Sequence, residues 1–76
     1  MDANWSKDLQ QQTLKVLDDL PALPDGMLRM KHKTEGHGHF ALVDLLVDKF
    51  VLHRTRGDQV RFTDAQAVVA AGWAID

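Results

Sequence analysis

Positions 40–52 read FALVDLLVDKFVL, ten hydrophobic residues in thirteen, broken only by Asp44, Asp48 and Lys49. In a chain of 76 residues this run constrains the fold more than any other feature, because any compact structure has to bury most of it. A chain of this length forms one domain, 1–76, and removes only roughly 60–65% of its unfolded surface from water, so its core is thin. The run is too short and too charged to span a bilayer, which takes about 20 apolar residues. As a helix, it places Asp44 and Asp48 on one face and leaves every other side apolar. As two strands turning at Asp48 and Lys49, it gives Ala41, Val43, Leu45 and Val47 a common inner face. Periodicity alone does not separate the two for a short apolar run. Leucine and alanine favour the helix, valine and phenylalanine the strands. The expectation is a helix over about 39–49, with a strand pair as the alternative.

The flanks are easier to read. Over residues 5–20, Trp5, Leu9, Thr13, Val16, Leu17 and Leu20 fall in one helical stripe roughly 120° wide, with Lys7, Asp8, Gln11, Lys15 and Asp18 on the far side. Leu14 lies off the stripe. Asn4 or Ser6 caps the start, and Asp8 lies in the first turn, where the helix dipole favours an anion. LPALPDG ends the helix, since proline cannot continue it. In residues 27–34, MLRMKHKT, Leu28, Met30 and His32 alternate with Arg29, Lys31 and Lys33, which predicts a half-buried strand with a basic outer face. EGHG then reads as a tight connection.

FVLHRTRGDQVRF predicts a hairpin turning at Gly57 and Asp58, with arms over about 51–55 and 59–62. TDAQ reads as a capping box, Thr63 at the N-cap and Gln66 three residues on. A short helix follows and stops at Gly72. Trp73 and Ile75 are expected to fold back onto the core, where Trp5 can meet them. The fold class is therefore α+β: a small single domain with an N-terminal amphipathic helix, a strand, a central helix or strand pair, a basic β-hairpin and a short C-terminal helix.

Composition narrows the function. Hydrophobic residues make up 45% and charged ones 26%, ordinary for a folded soluble protein. There is no cysteine, so neither a disulfide nor a thiolate metal site is available, which suits the cytoplasm. The first ten residues lack the basic-then-apolar layout of a signal peptide. Net charge is −2 but unevenly spread. Residues 1–28 set two lysines against five aspartates, residues 29–61 set seven lysines and arginines against four acids, and residues 62–76 add two aspartates.

Four sets of side chains are candidates for function. His32, His37 and His39 crowd into KHKTEGHGHF. In a strand, His37 and His39 would point the same way roughly 7 Å apart, and with His32 opposite His39 they would offer zinc, nickel or copper three nitrogens. Against this, a histidine between two glycines in a turn is costly to order, and Glu35 is the only nearby carboxylate to orient it. Three exposed histidines in a polar loop are the simpler expectation.

Catalysis finds no support. The chain has no cysteine, no tyrosine and one serine, and Ser6 and Thr63 are both explained as caps. Asp44 and Asp48 read as a solvated face. No phosphate loop is present. RGD at 56–58 reads as turn chemistry. No cofactor and no small-molecule substrate are expected.

Lys31, Lys33, Arg54, Arg56 and Arg61, with Arg29 beside them, would form a basic patch for nucleic acid if the strand and hairpin were neighbours. The negative overall charge and the lack of an exposed aromatic residue in the patch weigh against it. Finally, Phe40, Leu42, Leu46 and Val51 belong to a segment with more apolar surface than a thin domain covers, and such patches mark partner sites. The leading expectation is a small non-enzymatic interaction or regulatory protein, self-associating through 39–52. A nucleic-acid-binding regulator is the first alternative and a histidine metal module the second.

Overall fold

The computed structural model describes residues 5–76. Its element order is α1 (Lys7–Asp18), β1 (Met27–His32), β2 (Gly36–Ala41), α2 (Leu42–Leu45), β3 (Phe50–Arg54), β4 (Gln59–Phe62), α3 (Ala65–Ala70) and β5 (Trp73–Ile75). The five strands form one antiparallel sheet in the order β4-β3-β2-β1-β5. Three helices and one antiparallel sheet make the chain α+β, as its sequence predicts.

Residues directly opposite each other share a face. Leu28, Phe40, Leu52 and Val60 therefore form one row across four strands, and Met30, Gly38 and Arg54 the next. Leu17 of α1 and Val68 of α3 join Leu28, Met30, Phe40, Leu45, Leu52 and Trp73 in one buried cluster. The helices thus cover this face, and the row of Arg29, His39, His53 and Gln59 lies on the other.

Helix α1 starts where Ser6 accepts a hydrogen bond from the Leu9 N–H, with Asp8 in the first turn and Lys15 in the last. Asn4, the other candidate cap, lies outside the described residues. Thr13 and Leu17 are buried, and Val16 and Leu20 pack against the core, as the stripe requires. Helix α3 is capped by Asp64, whose carboxylate accepts from the Ala67 N–H at 2.8 Å. The expected Thr63 cap is one residue early, because the Asp64 side chain reaches that N–H itself.

The segment from 39 differs most from expectation. No helix runs over 39–49. Strand β2 continues to Ala41, one helical turn follows, and Asp48 takes a positive φ of 58° before β3 begins. The strand alternative also fails in detail, since Phe40 rather than Ala41 faces the core. Phe40 sits between Leu28 and Leu52 and is fully buried. As the central strand, β2 bonds to neighbours on both sides, and that tertiary gain outweighs the helix preference of the leucines.

The connection expected at EGHG is also displaced. The turn lies at 33–35, and His37 and His39 belong to β2. Gly38 is required by close approach: a Cβ there would lie 2.9 Å from the His53 carbonyl oxygen and 3.2 Å from the Leu52 side chain. No helix among the described residues is long and apolar enough to cross a membrane.

Candidate functional site

The most exposed apolar feature is the turn that follows β2. It is anchored at its start and closed on itself at its end. The Leu42 N–H donates to the Gly26 carbonyl at 2.9 Å, and the Lys49 N–H donates to the Asp44 carbonyl at 2.8 Å. Within it, Leu42 and Leu45 turn inward onto the core. Val43, Leu46 and Val47, spaced i, i+3 and i+4, turn outward and keep 72%, 71% and 63% of their surface in water. Helical spacing forces this division, because one turn cannot aim five apolar side chains at one side.

Beside this knob lies a groove of about 440 Å³. Leu17, Leu20, Leu45, Leu46, Phe50 and Ala65 line it, together with Asp18, Asp19 and Asp48. All three aspartates are exposed. Leu46 belongs to both the knob and the groove, so the two features are continuous.

The four side chains expected to bind a partner do not stay together. Phe40 is a core residue, set edge-on to Phe50 with ring centroids 6.5 Å apart, and it offers no surface. Leu42 packs against the core. Val51 is half-buried opposite Arg61 on the other face of the sheet. Only Leu46 lies on the exposed knob. Val43 and Val47 were not among the expected contacts, although their spacing from Leu46 on one helical turn is visible in the sequence.

The basic set is likewise divided. Lys31 and Lys33 each place their Nζ 5.0 Å from the centroid of the Trp5 ring, a cation–π arrangement. Trp5 itself donates from Nε1 to the Gly72 carbonyl at 2.9 Å, so the two ends of the described chain do meet. Arg61 is exposed on the edge strand β4, at the far side of the sheet from β1. Arg56 is exposed in the β3–β4 turn. Arg54 shares its face with Met30 and Gly38, its side chain is only 10% exposed, and it pairs with Glu35 at 3.6 Å and Asp58 at 3.5 Å. It is withdrawn from any surface patch.

The three clustered histidines split between the two faces. His39 and His37 lie on the uncovered face, and His39 stacks on His53 with ring centroids 5.2 Å apart and planes 21° apart. His32 pairs with Gly36, not His39, and faces the helices. Its Nδ1 accepts from the Thr34 and Glu35 N–H groups at 3.1 Å each. Its Nε2 therefore carries the proton and donates to the Ala71 carbonyl at 2.8 Å. Both nitrogens of His32 are committed to holding the β1–β2 turn against the end of α3. Among the described residues, no group of three histidine, aspartate or glutamate side chains is placed to hold a metal ion.

Compared with protein-family models, curated proteins and solved structures, the chain matches none.

Proposed function

We propose that this is a non-enzymatic interaction protein that self-associates through the knob of Val43, Leu46 and Val47 and the adjoining groove. The observation that carries this reading is the exposure of those three side chains in a single turn. Each valine or leucine taken out of water stabilises a complex by roughly 1.5–3 kcal/mol before the costs of association. A knob beside a groove is a self-complementary surface. A two-fold axis lets the knob of each copy enter the groove of the other. Lys49, exposed next to Asp48, offers the opposite charge to an acidic rim approaching from the second copy.

A thin core gives a second reason for self-association, since a partner's apolar surface supplements what one chain buries. The absence of cysteine suits a reducing compartment such as the cytoplasm. Light scattering at tens of micromolar is expected to give about twice the 8.6 kDa chain mass. A mass of one chain up to millimolar concentration would remove the proposal.

Nucleic acid is the second reading. Its supporting observation is the uncovered sheet face, which carries Arg29, Lys31, Arg61 and the stacked pair His39 and His53. Binding of this kind is driven by phosphate neutralisation and weakens steeply with salt. An electrophoretic shift with single- and double-stranded oligonucleotides at low salt tests it, and the absence of a salt-sensitive shift would rule it out.

A further inference from the structure

Arg54 is the one lysine or arginine among the described strand residues that the register turns toward the helix-covered side of the sheet. Its Nε and Nη2 are buried and have no hydrogen-bond partner. The carboxylates of Glu35 and Asp58 stand at 3.6 and 3.5 Å, beyond the roughly 2.7–2.9 Å of a charge-assisted hydrogen bond. A guanidinium is seldom left this way, because buried donors without partners are costly.

This side chain lines a hollow of about 390 Å³ beneath the β1–β2 and β3–β4 turns, in which Val60, Phe62 and Trp73 supply apolar wall. The volume is at the small end of the range for ligand pockets, roughly 300–1,000 Å³. His32 and Glu35 lie on its rim. His32 is already bonded through both nitrogens, so Arg54 is the group with donors to spare.

We propose that this hollow binds a small organic monocarboxylate with a flat apolar body. The Nε–Nη2 edge of a guanidinium matches the two oxygens of a carboxylate. Glu35, half in solvent on a three-residue turn, is the internal carboxylate that the ligand displaces. The apolar body then lies against Val60, Phe62 and Trp73. Local charge selects a monoanion: one guanidinium faces two carboxylates, so a monoanion that takes the place of Glu35 keeps the charge balance, whereas a phosphate dianion adds a buried charge with no partner. The site shares no residue with the groove beside Leu46, so it stands or fails independently of self-association.

The test is a nitrogen-15 NMR titration of the full chain. Phenylacetate and indole-3-acetate are the probes, and phenylacetamide and inorganic phosphate are the controls. Saturable shifts are expected at the Arg54 Nε–H and the Trp73 indole N–H with the two acids and with neither control. Glu35→Gln, on an exposed turn, is expected to tighten binding by about threefold or more, because the competing carboxylate is gone. No saturable shift by about 10 mM acid, equal binding of the amide or of phosphate, or unchanged affinity in Glu35→Gln would each overturn the proposal.

Discussion

The hydroxyl of Thr13 accepts a hydrogen bond from the Ile75 N–H at 3.1 Å, across 62 positions of sequence, while donating to the Leu9 carbonyl at 2.7 Å. Thr13 is fully buried. Strand β5 is an edge strand, and edges carry unpaired N–H groups that invite aggregation or strand addition. Helix α1 thus closes one edge of the sheet with a single side chain.

Thr13→Val keeps the shape and removes the acceptor. It leaves the half-buried Ile75 N–H without its partner, so it is expected to cost about 1–3 kcal/mol in chemical denaturation. Thr13→Ser, which retains the hydroxyl, is expected to cost less. Equal losses in both variants would show that the methyl packing, not the hydrogen bond, matters here.

The amphipathic stripe of α1, the alternation of β1 and the hairpin of β3 and β4 were legible in the sequence because each follows from local periodicity or turn chemistry. Thr13 was legible as a buried position but not as an acceptor, since its partner lies at the far end of the chain. The 40–52 run was not legible for the same reason. Phe40 becomes a central-strand core residue only through Leu28 and Leu52, and no window around Phe40 contains Leu28. Arg54 illustrates a third limit. Alternation within β3 puts it on the side of Leu52, yet an arginine in a hairpin is ordinarily read as solvent-facing. A three-nitrogen site needs His32 opposite His39, and the register that pairs His32 with Gly36 instead is not visible in any local spacing.

Phe40 and Leu46 should respond in opposite ways to truncation. Phe40→Ala removes a fully buried ring and is expected to cost about 3–5 kcal/mol. Leu46→Ala, at 71% exposure, is expected to change the stability of the isolated chain by no more than about 0.5 kcal/mol. Denaturation at low protein concentration, where self-association is minimal, separates the two. A larger loss for Leu46→Ala would invert the inside and outside of this segment.

Gly72 ends α3 with φ of +96°, and a Cβ there would lie 2.6 Å from His32 Nε2. Gly72→Ala therefore combines an unfavourable backbone conformation with the loss of the His32 bond to Ala71. A cost above about 1 kcal/mol is expected. Gly26→Ala, at φ of +69° with no atom within 4 Å, isolates the backbone part and should cost less. Equal costs at the two positions would mean that His32 does not need its close approach.

Because His32 faces away from His37 and His39, zinc should find no three-nitrogen site. Titration calorimetry at neutral pH is expected to show no sub-micromolar binding. A stoichiometric site that disappears in a His37→Ala, His39→Ala double variant would overturn this and would point to the uncovered face, where His53 stacks on His39.

Sedimentation equilibrium of three proteins at tens of micromolar shows whether the knob of Val43, Leu46 and Val47 is the working surface. The proteins are the wild type, Leu46→Glu on the knob and Val51→Glu on the opposite sheet face. Circular dichroism verifies that each is folded. About twice the 8.6 kDa chain mass is expected for the wild type and for Val51→Glu, and a single-chain mass for Leu46→Glu. A folded Leu46→Glu that remains dimeric, or a dimer lost in Val51→Glu instead, would contradict this role of the knob.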